Sequence, residues 1–140
     1  MILLTEGVYS VWVTRKVKEA VDALDVQPRA RLQALFNLFC QNGPRGLNAK
    51  TQFPSEDAHP SGLKNMADIA LRAFKPAAQW RLYGTVTTYK EKPAFIGVAV
   101  DDSKKQDKAD QHLLKLAAKR AARIIDVDRK PNLRGKGGKK

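Results

Sequence analysis

Apolar and polar positions alternate or recur along this chain with periods that outline its elements. Val8 to Val13 alternates and is rich in β-branched and aromatic side chains, which predicts a strand. Thr14 can then cap a short helix on which Val17, Val21 and Leu24 share one face. A second helix follows: Pro28 suits its first turn, Leu32, Leu35, Phe36 and Phe39 form its buried stripe, and Gly43-Pro44 ends it. The two make a helical hairpin.

From Gly43 to Gly62 the chain turns to Gly, Pro, Asn, Ser and charges without a sustained period, which predicts a long loop. Three strands are expected next, at Asp68–Phe74, Gln79–Thr88 and Ala94–Val100. Their short spacers favour antiparallel hairpins. In the second strand Trp80, Leu82, Gly84 and Val86 alternate with Arg81, Tyr83, Thr85 and Thr87, one face for a core and the other for solvent or ligand. In the first, Arg72 alternates with Ile69, Leu71 and Ala73. If both apolar faces pack on the helices, Arg72 and Arg81 share the open face of the sheet.

Ser103 with Gln106 fits a capping box, and Ala- and Leu-rich sequence sustains a last helix to about Ile125. Leu113, Leu116, Ala117, Ala121 and Ile124 are its expected packing stripe. Opposite them Lys108, His112, Lys115, Lys119 and Arg123 stack along one face as a basic stripe. The domain is expected to span residues 1–126, with 127–140 as a basic disordered tail.

Composition adds a partner class. The chain has 140 residues and a formal charge of +12. Such an excess favours a polyanion, most simply RNA or DNA, although a well-solvated surface accounts for part of it. Cys40 is the single cysteine, which excludes an internal disulfide, points to a reducing compartment, and sits in an apolar run as a small hydrophobe would. MILLTEG has neither the basic lead nor the apolar length of a signal peptide, and no apolar run approaches a bilayer span. A soluble, cytoplasmic protein with no membrane contact is the expectation.

Cys40, His59 and His112 lie far apart in sequence, and neither a metal-ligand spacing nor a phosphate loop is present, so no metal and no cofactor is expected. Asp101-Asp102 is read as a turn or helix-entry feature. The chemistry that remains is cationic: Lys64, Arg72, Arg81, Lys104, Lys105, Lys108 and His112. That set suits metal-free RNA cleavage, in which the ribose 2′-hydroxyl attacks the adjacent phosphorus and cations stabilise the developing phosphoryl charge. His112 is the one candidate whose ordinary pKa fits proton transfer near neutrality. Tyr83 is either a second proton carrier or a platform on which a base stacks. The bland alternatives are a surface histidine among lysines, and salt bridging by Arg72 and Arg81.

The order of strand, two helices, three antiparallel strands and helix, with the phrases IALRAFKPAAQWRLYG, FIGVAVDDSKKQDKAD and LAAKRAARI, resembles the RelE/ParE toxin superfamily, in particular its HigB and phage Gp49-like branch. The resemblance runs from about Val8 to Ile125. It implies an α+β RelE-like fold: an N-terminal strand and helical hairpin, a three-stranded antiparallel meander and a C-terminal helix, packed as one sheet-plus-helices domain. It further implies the toxin of a type II toxin–antitoxin system, neutralised by a cognate antitoxin, typically of helix-turn-helix type, and cleaving mRNA, often on the ribosome. By position, Arg72, Arg81 and Lys104 or Lys105 match its basic strand and turn residues, and Lys64 its lysine before the first sheet hairpin. His112 is nearest to its C-terminal acid or base. The catalytic set is then Arg72, Arg81, Lys105 and His112, with Lys64, Tyr83, Lys104, Lys108 and Lys115 binding RNA. A ParE-like inhibitor of DNA gyrase without nuclease activity, and a non-catalytic nucleic-acid-binding module, are the alternatives.

Overall fold

The computed structural model describes residues 1–102 and 109–130. The chain opens with β1 (Ile2–Glu6) and β2 (Ser10–Val13), then α1 (Arg15–Asp22) and α2 (Val26–Asn42). A 3-10 turn at Gly43–Gly46 leads to β3 (Ser55–His59), β4 (Ile69–Ala77), β5 (Trp80–Tyr89), β6 (Lys92–Asp101) and α3 (Gln111–Arg129). The strands form one mixed sheet in the order β1-β2-β6-β5-β4-β3. Among the described residues only β2 and β6 run parallel; the other neighbours are antiparallel. The molecule is an α+β domain.

The helical hairpin forms as its sequence pattern dictates. The Thr14 hydroxyl accepts from the Val17 amide, 3.2 Å away, and so satisfies one of the amides left open at the start of α1. α2 buries Leu32, Leu35, Phe36, Phe39 and Cys40 and stops at Gly43, whose φ of +71° is a conformation that side-chain-bearing residues avoid.

Both faces of the sheet are covered. α1 and α2 bury one face through Val17, Phe36 and Phe39 against Phe74, Leu82 and Phe95. α3 buries the other, setting Leu114, Ala117, Ala118, Ala121 and Ala122 on Leu71, Ala73, Tyr83 and Ile96. The small alanines let the α3 backbone approach the sheet closely. The expected open face is therefore closed. The packing stripe is also rotated from the expected one: Leu114, Ala118 and Ile125 turn inward, whereas Leu116 stays 37 % exposed.

Two strands lie where none was expected. β1, hidden in a run too short and too irregular to show alternation, pairs with β2 and packs against α2. β3 falls inside the expected long loop and lines the far edge of β4. Its anchor is Phe53, fully buried with its ring centroid 4.6 Å from that of Phe74 and 5.8 Å from that of Phe95. Burying one such ring is worth about 3–5 kcal/mol against truncation to alanine, enough to order a Gly- and Pro-rich segment. Backbone bonds from Ala73 to Pro54 and from Lys75 to Gln52 extend the pairing.

α3 begins at Gln111 with Asp110 as its cap, the carboxylate accepting from the amides of His112 and Leu113. It therefore starts later than a Ser103/Gln106 capping box would have it, and those two residues lie outside the described residues. Its end is later as well. Residues 127–129, expected in the tail, are helical, because Asp128 accepts from the Lys90 amide in the β5–β6 turn and Lys130 pairs with Asp126. The remainder of the tail, from 131, lies outside the described residues.

Candidate functional site

Antiparallel register brings the start of β5 beside the end of β6, pairing Arg81 with Asp101 and Tyr83 with Ala99. Arg81, Tyr83 and Asp101 consequently project from the sheet face that α3 covers. The Tyr83 hydroxyl donates to Asp101 Oδ2 at 3.2 Å, and Arg81 Nε stands 3.7 Å from Glu56 Oε2 on β3. Arg81 is only 6 % exposed and Tyr83 is completely buried.

Burial dominates the chemistry of this cluster. It pushes the Tyr83 phenol well above its ordinary value, and the Asp101 and Glu56 carboxylates push the same way, so Tyr83 stays a hydrogen-bond donor at any physiological pH. Neither of the roles expected of it, proton carrier or stacking platform, suits a ring with no access to a ligand. Burial also raises Glu56, and the Arg81 guanidinium only partly offsets it.

Arg72 does not join this cluster. It pairs across the strands with Gly84, three residues from Arg81, and an odd separation along a strand places the two arginines on opposite faces. Arg72 Nε donates to the Phe53 carbonyl at 3.3 Å, and its guanidinium lies 4.8 Å from the centre of the Phe53 ring. It fastens the β3 segment. The expectation of a shared open face failed because the apolar sides of β4 and β5 pack on different layers: Ile69, Leu71 and Ala73 under α3, Trp80 and Leu82 under the helical hairpin.

The outer side of α3 presents a row of cations. His112, Lys115, Lys119 and Arg123 are all exposed, with His112 in the first turn. Beside them, the turn from Ser61 to Met66 is drawn together by the buried Ser61 hydroxyl, which donates to the Met66 carbonyl and accepts from the Leu63 amide. Gly62 in that turn, at φ +78°, lies against the stem of Lys119, so closely that a Cβ there would stand 3.3 Å from Lys119 Cγ. Lys64, two residues further along this turn, is exposed. His112, Lys115, Lys119 and Arg123 thus lie on one accessible side of α3, with the turn that carries Lys64 against Lys119. Lys104, Lys105 and Lys108 lie outside the described residues.

Other chemistry is sparse. Among the described residues, no group of three or more His, Cys, Asp or Glu side chains is placed to hold a metal ion. No helix of the described residues is long and apolar enough to cross a membrane. The Cys40 thiol is buried and pushed up to about 11, chiefly by that burial and then by the Glu6 charge, so it stays protonated and unreactive. His59 is buried, with Nε2 2.9 Å from the Glu56 carbonyl, and stabilises the bend of β3. Sequence reasoning overlooked Glu56. Its signal would have been the strand pairing of residues 55–59, which one bulge and a positive φ at Asp57 conceal.

No family model, curated protein or solved structure matches this chain.

Proposed function

We propose that the protein is the toxin of a toxin–antitoxin pair of the RelE/ParE kind, grips RNA with the outer side of α3, and cleaves it without a metal. The observation that carries this is the exposed row of Lys115, Lys119 and Arg123, which has His112 at one end and the turn that carries Lys64 against Lys119. Further support comes from the chain order, in which β2, the helical hairpin, the β4–β6 meander and a last helix follow the order of the resemblance, with β1 and β3 added to it. In this scheme the 2′-oxygen loses its proton and attacks the adjacent phosphorus, the P–O5′ bond breaks and the leaving 5′-oxygen takes up a proton. His112 carries one of these two protons, solvent exchanges the other, and Lys115 steadies the phosphoryl charge. Arg81 supports the sheet beneath from its buried position, and Lys104 and Lys105 enter on sequence alone. The cognate antitoxin, of helix-turn-helix type, and a cytoplasmic setting belong to the same proposal.

The burial of Arg81 and Tyr83 favours a second reading, in which the toxin binds its target without cutting it, as a ParE-like gyrase inhibitor does. Induced expression separates the two. Growth arrest with discrete cuts in cellular mRNA supports the nuclease. Arrest with intact mRNA and altered plasmid supercoiling selects the gyrase reading, and normal growth rejects both.

A further inference from the structure

β2 and β6 are parallel neighbours, and the next helices in the chain, α1 and α3, pack on opposite faces of the sheet. β2 runs into α1, which packs with the helical hairpin, and the helix after β6 is α3, on the other face. In open parallel α/β sheets, crevices outside the carboxyl ends of neighbouring strands whose helices lie on opposite faces are the usual ligand sites, and β2 and β6 form one such parallel pair in this mixed sheet. β2 ends at Val13, paired with Gly97, and the Thr14 amide bonds the Gly97 carbonyl. Among the described residues β6 has no strand on that side from residue 98 onward, and α1 and α3 both border it there. The result is a crevice of about 260 Å³.

The lining of the crevice is chemically divided. Val17 and Ala20 of α1 and Leu113 of α3 form apolar walls over the backbone of residues 98–100, and Lys16, Arg120 and Asp102 stand at the rim. Arg120 is held in place by its own hydrogen bond, Nη1 donating to the Val98 carbonyl at 3.1 Å. We infer that this crevice binds a phosphate-bearing nucleotide unit, either a free mononucleotide or the end of an RNA chain. The phosphate lies between Lys16 and Arg120, a ribose hydroxyl or base amino group donates to Asp102, and the base or sugar rests on Val17, Ala20 and Leu113. A bare inorganic anion would leave the apolar walls uncovered and gain nothing from Asp102. A neutral nucleoside would leave both cations unanswered. The inference rests on the RNA-directed reading above and adds a second contact point, separate from the outer row of α3 and one strand away from Arg81.

The test is a titration of the full chain followed by backbone-amide NMR, with AMP, GMP, adenosine, inorganic phosphate, and trinucleotides phosphorylated at the 5′ or the 3′ end. The expected result is a set of shifts at residues 16–20, 98–100 and 113, with nucleotides binding at least tenfold tighter than adenosine or phosphate. Arg120→Gln, which keeps an N–H for Val98, and Lys16→Gln should each weaken binding at least fivefold with an unchanged melting temperature. Ala20→Phe should block it. Tighter binding of one trinucleotide than of AMP identifies an RNA end as the source, and the reverse a free nucleotide. Phosphate binding as tightly as AMP, or no effect from the two charge substitutions, overturns the inference. Nucleotide binding in a protein that neither arrests growth nor cuts RNA sinks the toxin reading alone, and growth arrest without nucleotide binding sinks the crevice alone.

Discussion

Replacing Lys115, Lys119 and Arg123 together with glutamine probes the interface without disturbing the fold, because all three side chains are exposed and α3 packs through its opposite side. Each phosphate contact on a single strand contributes about 0.7 to the slope of log affinity against log salt, so losing three lowers the slope by about 2. Referred to 1 M salt, one such contact is worth about a fourfold gain near 0.15 M, and three amount to about 50-fold. Fluorescence anisotropy on a short 2′-O-methyl RNA, which cannot be cleaved by 2′-hydroxyl attack, reads both quantities between about 0.05 and 0.2 M salt. Circular dichroism should show the helix intact. An unchanged slope with undiminished affinity would place the phosphate contacts elsewhere and refute α3 as the interface.

Three further substitutions test the structure beneath that surface. Tyr83→Phe removes a donor to a buried carboxylate and should cost about 1.5–3 kcal/mol in urea unfolding, while leaving the shape of any pH–activity profile unmoved; a shifted profile would restore Tyr83 as a proton carrier. Glu56 is held above its ordinary value of 4.5, so the native protein binds this proton more tightly than the unfolded chain. That contribution is fully present below pH 4.5 and is lost as the pH rises through the native value. Urea midpoints measured from acid to neutral pH should therefore fall more in the wild type than in Glu56→Gln, and parallel curves would contradict the assignment. Glu91, at φ +68° in the β5–β6 turn, carries a side chain in a backbone conformation suited to glycine. Glu91→Gly should stabilise by about 1 kcal/mol, read as a rise in melting temperature; a fall would show that the turn is held by contacts of the Glu91 side chain.

The helical hairpin and the meander were legible because their signals are local. Thr14, Pro28, Gly43 and the 3.6-residue spacing of Leu32, Phe36 and Phe39 act within a few residues of one another. β1 and β3 were not, since five-residue edge strands with bulges carry little alternation, and what holds β3 is a ring 21 residues away in sequence, Phe53 on Phe74. The site suffered from the same limit. Alternation shows that Arg81 and Tyr83 share a side of β5, yet it cannot say which layer covers that side, nor how β4 registers against β5. Register turned Arg72 away and α3 buried Arg81. The exposure of Lys115, Lys119 and Arg123 survived, because charged side chains seek water whichever way the remainder packs.

The most direct test of the account is the purified protein incubated with mRNA in the presence of a chelator. The account predicts discrete fragments ending in 2′,3′-cyclic phosphate, the product that attack by the 2′-hydroxyl requires. Their rate of appearance should fall by about 10²–10⁴ in His112→Ala, the usual contribution of a general acid or base. RNA that stays intact under these conditions, or is cut equally fast by His112→Ala, would contradict it.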